Sequence, residues 1–137
     1  MIDEASLARI VGVGNVSREK TLLEKYSSDM SFVHAIRPEC VVKPKNAEEI
    51  FKIVNLARDT GTPLVPVSSG APHFRGDTVP ATGGAIIVDL SGLKKILHID
   101  RKNRVAMFEP GVTFGELTAA VAKKDLRLNM PLLPRQS

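Results

Sequence analysis

The spacing of apolar and polar positions switches repeatedly between strand and helix periodicity from residue 39 onward. Cys40-Val41-Val42-Lys43 is a short β-rich run stopped by Pro44. Asn46 is placed to cap a helix, and Glu49, three residues on, completes a capping-box-like pair. Ile50, Ile53, Val54 and Ala57 fall on one face of that helix, and Gly61 stands where a C′ glycine ends one. Pro63-Leu64-Val65-Pro66-Val67 follows as a strand. Strand, helix, strand is a βαβ unit, which implies parallel pairing and a right-handed crossover. After a polar, Gly/Pro-rich loop from Ser68 to Gly84, Ala85-Ile86-Ile87-Val88-Asp89 is a continuous apolar run suited to a strand buried on both faces. Lys95–Ile99 and Arg104–Phe108 read as a hairpin turning at Asp100–Asn103. Thr113 and Glu116 form a capping box for a helix that carries Phe114, Leu117, Ala120 and Val121 on one face and ends near Lys124.

The N-terminal third is less regular. Residues 3–11 fit a short helix with Asp3 as N-cap and Leu7, Ile10 and Val11 on one side. Gly12-Val13-Gly14-Asn15 breaks it, and Ser17 is expected to cap a second helix reaching about Tyr26. Residues 1–36 therefore read as a helical extension, and 37–137 as an α/β unit with a small, mainly parallel sheet, flanking helices and a hairpin.

Composition narrows the function classes. Of 137 residues, 43% are hydrophobic and 25% charged, the mix of a globular chain, but only 4% are aromatic and none is Trp, so packing rests on Ile, Val, Leu and Ala. The net charge of +4 is scattered, with no basic stripe or aromatic platform, so no nucleic-acid partner is expected. No apolar run approaches the ~20 residues a membrane span needs, and residues 1–12 lack a signal-peptide pattern. The single cysteine, Cys40, fits a reducing, cytoplasmic setting and reads as a buried, inert thiol.

The candidate chemistry lies in the loop after the second parallel strand. Ser68-Ser69-Gly70-Ala71-Pro72-His73-Phe74-Arg75-Gly76 has the make-up of a phosphate-cradling turn: Gly lets a backbone approach an anion, and Ser adds donors. It has no Gly-Lys-Ser/Thr of a Walker loop and no Gly-x-Gly-x-x-Gly. His34, His73 and His98 are far apart, so no metal site is expected. Asp89 reads mainly as a turn residue, and nothing orders Ser and His as a triad.

The order of segments resembles the FAD-linked oxidase family, with its FAD-binding domain of the vanillyl-alcohol oxidase/p-cresol methylhydroxylase (PCMH) type. Arg37-Pro38-Glu39-Cys40-Val41-Val42-Lys43-Pro44 leading to Glu48-Glu49-Ile50 resembles the family's opening Pro-x-x-Val-Val-x-Pro strand and Glu-Glu-Val/Ile helix. Pro63-Leu64-Val65-Pro66 matches the strand before its pyrophosphate loop. Gly84–Leu93 with Ile96 and Ile99-Asp100, and Glu109-Pro110-Gly111-Val112, match later blocks. Tyr26-Ser27-Ser28-Asp29 is similar to the Tyr-x-x-Asp upstream of the domain in glycolate oxidase and D-lactate dehydrogenase flavoprotein subunits. The resemblance covers roughly residues 24–134.

The resemblance implies that Pro66, Val67, Ser68, Ser69, Gly70, Ala71, Pro72 and Gly76 hold the pyrophosphate of FAD. The family loop usually reads Arg-Gly-Gly-Gly-Thr-Ser or Arg-Ser-Gly-Gly-His-Ser. Here Val67 stands for the Arg, Gly70 is kept, and Ala71-Pro72 replaces the last pair, with no N–H on Pro72. Members that bond flavin covalently through this loop place a His where Ala71 stands, so the expected flavin is non-covalent, and weak or absent in this chain alone. A second Gly-rich stretch and a substrate-capping domain normally follow the equivalent of Pro134, so this chain is expected to be the first half of the domain. Catalytic residues stay unassigned. The implied parent activity is a flavoprotein oxidoreductase acting on a 2-hydroxy acid or similar alcohol. The other readings are a half-protein completed by a partner chain or homo-oligomer, and an interaction module without activity.

Overall fold

The computed structural model describes residues 2–68 and 73–129. Helix α1 (Glu4–Val11) starts at Asp3, whose carboxylate accepts from the Ser6 amide at 2.6 Å. A 3₁₀ turn follows, then strand β1 (Val16–Ser17), helix α2 (Lys20–Lys25) and strand β2 (Cys40–Val42). Helix α3 (Ala47–Thr60) has both expected caps. The Asn46 side chain accepts from the Glu49 amide, and Gly61 adopts the left-handed conformation at φ 64° that closes it. Strands β3 (Leu64–Val67), β4 (Ile86–Asp89), β5 (Ile96–Asp100) and β6 (Val105–Phe108) precede helix α4 (Phe114–Ala122), which carries a complete Thr113/Glu116 capping box.

Two expectations are corrected. Ser17 is not the cap of α2 but part of β1, antiparallel to β2, with Val16 opposite Val42. A strand two residues long has no periodicity to read. And β2 and β3, though parallel in direction, are not neighbours: the sheet runs β1-β2-β4-β3, with β4 parallel to both. All four residues of β4 are buried, as a strand paired on both edges and covered on both faces should be. Pro66 sits on β3, an edge strand, where its missing N–H costs no ladder bond.

Alternation along these strands divides the core. Cys40, Val42, Ile86 and Val88 face α1 and α3, meeting Leu7, Val11, Ile53 and Ala57. Val41, Val67 and Ile87 face the other way, onto Leu23 of α2 and Tyr26. Residues 1–36 thus lend α1, α2 and an edge strand to the sheet. A third cluster joins Leu117 and Val121 of α4 to Ile96, Ile99 and Ala106 of the β5–β6 hairpin. Val54 on α3 and Phe114 on α4 are 48% and 43% exposed, so each helix buries a narrower stripe than its apolar pattern implies. His98 is exposed on the hairpin.

Candidate functional site

Strands β3 and β4 run parallel and end together at Val67 and Asp89, which are paired. Beyond those carboxyl ends lies a cleft of about 560 Å³, inside the range of roughly 300–1,000 Å³ common for small-molecule sites. Carboxyl ends of parallel strands, next to a point where strand order reverses, are where open α/β sheets bind ligands. β4, inserted between β2 and β3, makes such a point.

Asp89 forms the cleft's fixed floor. It is 4% exposed and its oxygens are fully engaged: Oδ1 accepts the Ser91 amide at 2.9 Å, and Oδ2 accepts the Tyr26 hydroxyl at 3.0 Å. Lys43 Nζ stands 3.7 Å from Oδ2. Burial alone would raise its carboxyl pKa, but the Ser91 hydroxyl and amide, Tyr26 and Lys43 outweigh it and hold the carboxyl below its ordinary range. Burial and the facing Asp89 carboxylate push the Tyr26 phenol far above its ordinary value. Asp89 is therefore an internally satisfied anion, and the sequence, which marked it as a turn residue, gave no sign of its partner 63 positions away.

Among the described residues, the expected loop positions take different places. Val67 and Ser68 line the cleft. Pro66 is exposed on β3 and is not among the described lining residues. Ser69, Gly70, Ala71 and Pro72 lie outside the described residues. The Gly76 amide is engaged by the Asp29 carboxylate at 2.7 Å, and Gly76 has φ +77°. A Cβ there would collide with the Val33 side chain, so only glycine fits.

The donors around the cleft suit a phosphate-bearing ligand. Ser68 and Thr78 bring hydroxyls, the exposed Lys25 brings positive charge, Lys94 stands 3.4 Å from the Glu116 carboxylate, and the Asp89 charge is consumed internally. Among the described residues no group of three His, Cys, Asp or Glu could hold a metal ion. Cys40 is fully buried, and burial raises its thiol pKa to about 11, so it is no nucleophile. Among the described residues no helix is long and apolar enough to cross a membrane.

Comparison with known proteins agrees with this geometry. The family profile described as FAD binding domain matches residues 38–135. The chain is 30% identical over 124 residues to 1'-carboxy-chondrochloren decarboxylase of Chondromyces crocatus, covering 90% of this chain and 23% of that protein. It is 33% identical over 101 residues to glycolate oxidase subunit GlcD of Bacillus subtilis, covering 74% and 21%. Among solved structures, substrate-bound p-cresol methylhydroxylase superposes with a TM-score of 0.78 at 28% identity, over 90% of this chain and 24% of that one. The chain thus spans about a quarter of the length of the relatives it matches. With its mainly parallel sheet, its hairpin and its cleft at the strand ends, the chain belongs to the FAD binding domain family of FAD-linked oxidoreductases, and FAD is the cofactor of that domain.

Proposed function

We propose that residues 37–137 are the first half of the FAD-binding domain of an oxidoreductase acting on a 2-hydroxy acid or similar alcohol, with residues 1–36 an extension that docks onto its sheet. The observation that carries this reading is the cleft at the ends of β3 and β4, with Val67, Ser68 and His73 on its wall. The relatives named glycolate oxidase subunit and D-lactate dehydrogenase favour the substrate class. FAD supplies the redox chemistry, and this chain's share is to bind and orient it. The loop 66–76 cradles the pyrophosphate, non-covalently because Ala71 offers no atom for a bond to flavin. Gly76 contributes by holding the loop's returning limb, since its own N–H is turned to Asp29. A cytoplasmic location goes with this reading.

A partner or a further segment completes the site. The hairpin leaves Leu97, Val105 and Met107 each more than half exposed, and apolar residues gathered on one element are the kind that mark contact surfaces. The name of the 4-cresol dehydrogenase flavoprotein subunit, a relative 29% identical over 119 residues, implies assembly with another subunit in that enzyme. Calorimetric titration of the chain with FAD, alone and then with the downstream segment of the reading frame added in trans, tests the reading. Association costs on the order of 4–15 kcal/mol of rigid-body freedom, so a half-site should bind no tighter than high micromolar. Tight binding only in trans is the expected result. No FAD binding in either arm would overturn it.

A further inference from the structure

The turn that ends α2 ties together two distant parts of the cleft. Tyr26 donates its hydroxyl to Asp89 at the end of β4. Asp29 accepts the Ser31 amide on one oxygen at 2.8 Å and the Gly76 amide on the other at 2.7 Å. The Met30 amide donates to the His73 carbonyl at 2.9 Å, and the Ile36 amide to the Ser27 carbonyl at 3.0 Å. Val33 packs so closely on Gly76 that no side chain fits between them. The turn is therefore anchored below to the sheet and above to the limb of the loop that runs from His73 to Gly76. Both anchors bridge long stretches of chain, 63 residues to Asp89 and 47 to Gly76.

We propose that Tyr26 and Asp29 are positioning residues that hold the His73–Gly76 limb in place before the flavin's phosphates arrive. The inference rests on the flavin reading above. Neither residue needs to touch the cofactor. A loop ordered in advance gives up less conformational freedom on binding, and the saving appears as affinity. Asp29 suits this role because both its oxygens are committed to backbone amides, from two separate segments, at charge-assisted distances. The hydrogen bonds from Ser31, with those from the Gly76 amide, keep its carboxyl ionised to lower pH than an ordinary aspartate.

The test uses the full-length protein and two readouts, amide hydrogen exchange at Gly76 and FAD affinity by titration well below the melting temperature. Asp29→Ala should speed exchange at Gly76 and weaken FAD binding by about tenfold, the equivalent of one lost hydrogen bond. Asp29→Asn keeps one acceptor oxygen and should recover part of both effects. Tyr26→Phe keeps the ring and loses only the hydroxyl, so it carries the test if Asp29→Ala does not fold, and it should shift both readouts the same way. A merely structural role would lower the melting temperature and leave affinity unchanged. Faster exchange with FAD affinity within twofold of wild type overturns the proposal, as does unchanged exchange. A wild type that binds no FAD removes the flavin reading and this proposal with it. A wild type that binds, with variants that bind equally, removes the positioning role alone.

Discussion

Gly111 lies flat against the turn that follows β4: its amide donates to the Leu93 carbonyl at 2.8 Å, and a Cβ on it would stand 2.6 Å from that same oxygen. The Ser91 and Leu90 carbonyls would be 2.6 and 2.7 Å away. Three backbone oxygens cannot retreat together without moving the turn. Gly111→Ala should therefore lose about 1–3 kcal/mol, the range for overpacking a tight site, read as a lower denaturation midpoint. An unchanged midpoint would mean that the turn yields freely.

Tyr26 is the sole tyrosine, so phenolate absorbance reports on it alone. Its folded pKa is raised above the ordinary 10.0. The neutral form is thus favoured in the folded chain, and the stability it contributes is complete below pH 10 and drains away as pH rises beyond that. Alkaline titration should show no phenolate in the native protein above pH 10 until unfolding releases it all at once. Tyr26→Phe should flatten that alkaline loss. Asp89 works in the opposite direction: its folded pKa is depressed below the ordinary 3.8, so its contribution is present above that value and lost as pH falls below it. A freely titrating phenol at its ordinary pKa would refute the pairing.

Much of this arrangement was legible in the sequence, and the reasons for the gaps are physical. α3 was readable because its signals are local: Asn46, Glu49 and Gly61 each act within one turn of themselves. The unbroken apolar run of β4 correctly marked a strand buried on both faces. What it could not say was which strands would flank it, since strand order is set by packing across long loops. Tyr26–Asp89 and Asp29–Gly76 are invisible for the same reason, although the Tyr-x-x-Asp spacing marks both first partners. The loop chemistry remains the least accessible part. Ser69–Pro72 fall outside the described residues, and Val67, Ser68 and His73 place the loop beside the cleft.

Cys40 is fully buried in the middle of the sheet. Its thiol, with a pKa raised to about 11 by burial, should resist an aromatic disulfide reagent at neutral pH. Reaction should become complete only on adding denaturant. Prompt labelling of the native protein would show that the sheet opens far more often than its packing implies.

Thr113 and Glu116 satisfy each other's backbone at the start of α4: the Thr113 amide donates to Glu116 at 2.8 Å, and the Glu116 amide to Thr113 at 3.2 Å. Thr113→Ala should cost about 1 kcal/mol, while Thr113→Ser, which keeps the oxygen, should cost little. Because α4 packs mainly on the hairpin, exchange should rise first in residues 96–108. Uniform loosening of the whole chain would indicate a single cooperative unit instead.

The central place of β4 also governs how the chain must assemble. β2 and β3 are made earlier but share no hydrogen bonds, and each waits for an edge that only Ile86–Asp89 provides. Until those residues leave the ribosome, the helical crossover of α3 spans an empty slot, and two strands expose unpaired edges of the kind that recruit other chains. Closing the slot fixes contacts over 20 residues or more at once, with Cys40 meeting Ile86 and Leu64 meeting the same residue. Folding should then be abrupt and late, gated by one short segment of synthesis. A nascent chain stalled before residue 86 should be sensitive to protease throughout, and one stalled once residue 100 has emerged should not.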